Sequence, residues 1–171
     1  GAPAASGLFG DMDVAERSAG GSLERAQGNA ESLVLAARRS VEKLEDVQRR
    51  MLERLYDPPD RRGYEEAIRL ADEYVKEHGE PNNFLFFLRC AAAEGQRAAC
   101  DPERYDEARA GALKAARKVV DRSPELGRYW LSLLWHPEHP EATPPENDLQ
   151  IFFDDPEFKA LIGKDPYVVP R

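Results

Sequence analysis

The sequence predicts an all-α protein: an antiparallel stack of helix hairpins with a long N-terminal helix and a short C-terminal capping segment. Three observations predict it. Apolar residues recur at three-and-four spacing through most of the chain, which places them on one face of a helix. Pro, Gly and Asn punctuate that pattern about once per helix length. A single helix-turn-helix phrase is written twice between Tyr64 and Trp135. Its first statement begins Tyr64-Glu65-Glu66-Ala67, turns at His78 to Asn83 and continues in the apolar run from Phe84. Its second begins Tyr105-Asp106-Glu107-Ala108, turns at Asp121 to Pro124 and continues through Tyr129 to Trp135.

In order along the chain, residues 1–21 have small side chains, several glycines and no sustained period, and read as a flexible or docked arm; Leu8, Phe9, Met12 and Val14 are its apolar exceptions. From Ser22 to Tyr56 only Gly28 opposes a helix, and Val34, Ala37, Val41, Leu44, Met51 and Leu55 share a stripe that Gln48 interrupts. Either that stripe packs along the hairpins or it forms half of a coiled coil in a homodimer through residues 22–56. Pro58 and Pro59 end the helix.

The next helix carries Tyr64, Ala67, Ile68, Ala71, Tyr74 and Val75 on one face and stops at Gly79. Asn82 or Asn83 then caps a helix that is apolar nearly all round, from Phe84 to Ala93, and therefore needs cover on several sides; it is the expected centre of the core. Asp101-Pro102 reads as an N-cap and first turn for a helix with the small inner face Ala108, Ala112, Ala115, Ala116. Ser123-Pro124 opens the next helix, which ends at His136-Pro137, and four prolines between 137 and 145 mark an extended loop. Leu149 to Phe153 and Asp155-Pro156 to Ile162 are expected as short helical segments covering the open end of the stack. The division is thus an arm over 1–21, one helical-repeat domain over 22–163 and a tail over 164–171.

The chain has 24 basic and 32 acidic residues, a net charge of −8, and the last 35 residues carry three basic against eight acidic groups. Nucleic acid and anionic membranes are therefore excluded as expected partners. No run of eighteen apolar residues offers a membrane span, and the N-terminus lacks the basic and hydrophobic regions of a signal peptide. The first residue is Gly rather than Met, as in an excised domain or processed chain, and leaves an anchor or second domain open. Cys90 and Cys100, ten residues apart on or just past one helix, would sit about 15 Å apart, too far to bridge. Both are expected reduced, which favours a cytoplasmic location.

Little in the sequence carries chemistry. His136 and His139, with Glu138 and Glu141, have a metal-like spacing but lie in a proline-rich loop. There is no phosphate-binding Gly-rich loop, nucleophile elbow or Cys-x-x-Cys. Cys90 has an apolar neighbourhood that should keep its thiol protonated, and Asp155 reads as a helix cap rather than half of an acid pair with Asp154. The expectation is a binding protein with no catalytic residues, cofactor or metal.

The phrase Tyr64 to Ala71 followed by Pro81-Asn82-Asn83 resembles the second helix of a tetratricopeptide repeat and its junction to the next repeat, and Tyr105 to Ala108, Ser123-Pro124-Glu125 and Asp155 to Leu161 echo the family. The resemblance covers about residues 60–162. It departs in length, since Tyr64 to Tyr105 spans 41 residues where that repeat has 34, with the excess around Glu94 to Asp101. Two phrases are also fewer than the three usually needed, so the helix before Pro58 should serve as a partner and the C-terminal segment as a cap. The resemblance implies an adaptor or scaffold that binds a peptide or protein partner in a groove on the first helix of each pair, where Asn83, Phe86, Arg89, Arg128, Tyr129 and Ser132 are the candidates. A self-associating assembly protein and a chaperone of secreted substrates are the alternatives.

Overall fold

The computed structural model describes residues 2–56, 62–142 and 147–163, with side chains from residue 21 onward. Among these residues every regular element is helical, in line with the predicted class: α1 Ala2–Tyr56, α2 Gly63–His78, α3 Phe84–Cys100, α4 Tyr105–Arg122, α5 Pro124–Trp135 and α6 Pro156–Ile162, with 3-10 turns at Pro102–Arg104 and Gln150–Phe152. The chain divides into two units, residues 1–43 and 44–171. This boundary falls inside α1, just before Leu44, which is partly buried against the core of the second unit. The tail over 164–171 and the stop at Pro58-Pro59 lie outside the described residues.

The first unit is the N-terminal part of α1. The helix starts at Ala2, so residues set off in the sequence as an arm are helical. Their glycines argued against this, each costing about 1 kcal/mol relative to Ala in a helix. Every residue from Ser22 to Lys43 is exposed, including Leu23 at 68%, Leu33 at 71%, Val34 at 52% and Val41 at 55%.

The second unit contains the core. Val47, Met51 and Leu55 of α1 are buried there, as are Tyr64, Ala67, Leu70 and Ala71 of α2. Helix α3 is central, packing against α2, α4, α5 and the Gln150–Phe152 turn, as an all-round apolar helix requires. Its Phe86, Leu88, Ala91, Ala92 and Ala93 are fully buried, and burial of each large side chain contributes about 1.5–3 kcal/mol. The Asn83 side chain accepts the Leu85 N–H at 2.9 Å, capping α3. At the other end α3 continues to Cys100, so the residues that lengthen the repeat add about two helical turns rather than a loop.

Asp101 does not cap α4. Its side chain makes no capping bond, and Pro102–Arg104 forms a 3-10 turn before α4 begins at Tyr105. Helices α3 and α4 pack along small faces, with Ala108, Ala112 and Ala116 fully buried.

The C-terminal segment closes the unit. Leu149, Phe152 and Phe158 are fully buried, and the two Phe rings stack with centroids 4.7 Å apart. Trp135 Nε1 donates to the Phe152 carbonyl at 2.9 Å. Asp148 is the polar junction: the Tyr56 hydroxyl donates to its Oδ2 at 2.6 Å, and Gln96 Nε2 donates to its Oδ1 at 2.9 Å and to the Leu55 carbonyl at 3.3 Å. Asp155 caps α6 through the Glu157 N–H at 2.9 Å and pairs with Arg109 of α4, while Arg109 and Arg117 each reach Glu157 at 2.9 Å.

Candidate functional site

The second unit contains an open trough of about 390 Å³ between α2 and α4, floored by α3. It arises because α3 separates the other two helices while its outer flank stays partly uncovered. Ile68, Ala71 and Val75 supply one wall, Gly111 and Ala115 the other, and Phe86, Phe87 and Cys90 the floor. Asp72, Lys76, Glu80, Glu94, Lys114 and Lys118 provide its polar rim.

The two ends differ. At one, Glu80 pairs with Lys118 and with Arg122 at 3.1 Å, joining the end of α2 to α4. Arg122 also lies 4.2 Å from the Phe87 ring centroid and donates to the Pro81 carbonyl at 3.0 Å. These cations hold the Glu80 carboxyl below its usual range, the bond from Lys118 being the largest cause.

At the other end Glu94 packs against Gly111, where a Cβ would meet its carboxyl carbon at 2.8 Å. Burial pushes the Glu94 carboxyl up to about 7. Its Oε2 is buried without a hydrogen bond, although the Arg97 guanidinium stands 3.5 Å away. The Cys90 thiol on the floor is pushed up to about 12, chiefly by burial, and stays protonated at neutral pH. The trough can therefore accept an apolar chain, with an unsatisfied acceptor at one end.

No family model matches this chain, and no curated protein or solved structure matches it.

The six residues singled out in the sequence are not brought to this trough together. Phe86 lines its floor. Asn83 caps α3, and Arg89 is half-buried on the same helix. Arg128 is exposed, and its guanidinium donates to the Leu161 carbonyl at 3.1 Å and the Pro124 carbonyl at 3.4 Å, tying α5 to α6. Tyr129 donates to Glu141 and packs edge-on against the His139 ring at 5.7 Å. Ser132 is buried and presents no side chain to solvent. The family analogy places a groove on α3 and α5, whereas the trough lies on the flank of α3 between α2 and α4. The signal for that position was the small face of α4 at Gly111 and Ala115 opposite the Ile68, Ala71, Val75 stripe of α2.

His136 and His139 serve local packing. Each Nδ1 accepts a backbone N–H at 3.1 Å, from Glu138 and Glu141 respectively, and the rings lie against Phe153 and Tyr129. Among the described residues no group of three or more His, Cys, Asp or Glu side chains is placed to hold a metal ion, and no helix is long and apolar enough to cross a membrane.

Proposed function

We propose that this chain is a protein-interaction adaptor that holds a peptide or helical segment in the trough between α2 and α4. The observation that carries the reading is an open trough whose half-buried apolar walls, Ile68 and Val75, stand over the buried rings of Phe86 and Phe87, rimmed by charges of both signs. The preferred occupant is an apolar segment bearing one Lys or Arg. A cation, or any strong donor, placed at the Glu94 end would satisfy the buried carboxylate oxygen and draw the carboxyl back toward its ordinary ionisation. The hairpin repetition supports a tetratricopeptide-like reading of the body, with α1 and the C-terminal segment completing it. On this reading the protein has no catalytic role, and two free cysteines fit a cytoplasmic setting.

Selection of peptides on the intact chain from a randomised display library tests the proposal. The expected result is enrichment of apolar sequences with a basic residue, whose affinity falls at least tenfold in Glu94→Gln and in Val75→Glu while helical content is retained. Enrichment of acidic sequences, or binding that survives both substitutions, would place the occupant elsewhere.

A further inference from the structure

We infer that the trough selects a dipolar helical segment of a partner protein, whose acidic side chain is read by Lys76 and Lys114 two helical turns from the basic one at Glu94. This rests on the trough as the binding surface and adds a second charge to its occupant, with a fixed spacing.

The charges on the rim are sorted along its length. Helix α4 runs from Gly111, packed on Glu94, to Lys118, paired with Glu80. The seven residues between these two contacts span about 10 Å. At the Glu94 end, Asp72 of α2 and Glu107 of α4 add to the acidic side, both pushing the Glu94 carboxyl up after burial, against Arg97 and Arg104. Further along stand Lys76 of α2 and Lys114 and Lys118 of α4. The Cys90 thiol on the floor lies between the two groups: after burial, Asp72 and Glu94 raise it and Lys118 lowers it.

Each end is left incompletely matched by the protein itself. Glu80 already serves two cations, Lys118 and Arg122. Among the described residues neither Lys76 nor Lys114 takes part in an ion pair, and both are exposed, one on each wall. At the opposite end the buried Glu94 Oε2 has no hydrogen bond. A ligand charged with one sign complements one end and is repelled by the other, whereas a base and an acid on one segment complement both.

The dimensions set the spacing. A volume of about 390 Å³ has room for a few side chains but not for a whole helix, so the backbone of the occupant lies over the opening. Residues three, four and seven positions apart share one helix face. A basic residue and an acidic residue seven positions away are therefore about 10 Å apart, with two apolar side chains between them to enter the trough beside Ile68 and Val75.

Fluorescence anisotropy with three labelled helical peptides on the intact chain tests this. All carry one Lys, with Leu three and four positions later. The first has Gln five and Glu seven positions after the Lys; the second has Gln at both places; the third exchanges the Gln and Glu of the first, which turns the acid off the face without changing composition. The expected result is an affinity about threefold higher for the first peptide than for either of the others. The Lys76→Gln, Lys114→Gln double variant should bind all three equally, with helical content unchanged. Equal affinities for the wild-type chain, or a preference that persists in the double variant, would overturn the inference alone when Val75→Glu still abolishes binding. Binding of none of the peptides, or binding that survives Val75→Glu, would reject the trough as the binding surface and the inference with it.

Discussion

Glu94 shows how one side chain sets a pH response. Its carboxyl is raised by burial to about 7, against an ordinary value of 4.5, while Arg97 pulls it down and Glu107 and Asp72 push it up. Between those two values the folded chain holds a proton that the unfolded chain has released, so stability falls as pH rises through that window. Glu94→Gln should abolish that slope and raise stability at neutral to alkaline pH by up to about 2 kcal/mol. Arg97 keeps Glu107 at 3.5 Å when the Glu94 charge is removed. Urea unfolding across the pH range measures both effects, and an unchanged slope would reject the assignment. Glycines give a second residue-scale contrast. A Cβ on Gly95 would meet the Asp148 carbonyl oxygen at 2.0 Å, and backbone cannot step aside cheaply. Gly95→Ala should therefore cost about 1–3 kcal/mol despite the better helix propensity of Ala, when measured by chemical denaturation. Gly111→Ala meets only the movable Glu94 side chain and should cost less.

At the scale of elements, α6 is short enough that its cap should decide whether it forms. Asp155 accepts from the Glu157 N–H and is held below the usual carboxylate range, first by the Arg109 guanidinium and then by backbone donors. Its contribution is present above its ordinary value near 3.8 and is lost as pH falls below it. Asp155→Ala should lower stability by about 1–2 kcal/mol at neutral pH and have little effect in acid, a difference that thermal melts at both pH values would reveal. This cap was readable because Asp-Pro-Glu fixes both the bond and the turn. The Asp101-Pro102 pair has the same lettering and no cap, since a 3-10 turn intervenes before α4; local chemistry did not distinguish the two. The bounds of α2 and α5 followed from Gly79 and Pro124, which break helices by themselves. The extension of α3 to Cys100 did not, because Glu94 to Ala99 suits a helix or a loop and tertiary cover decides. The trough was hidden for the same reason: its walls come from α2 and α4, and which flank of α3 they leave open is a property of packing.

The Asp148 junction sets an order on folding. It joins Tyr56 to a residue 92 positions further along the chain. Such a contact forms only after a long loop has closed, and distant contacts of this kind slow folding. During synthesis the last turn of α1 and the Gln96 side of α3 must wait for the segment from Asp148 to Ile162 to leave the ribosome. Until then the apolar surface beneath Leu149, Phe152 and Phe158 stays open, which leaves the nascent chain prone to aggregation while that segment is still unsynthesised.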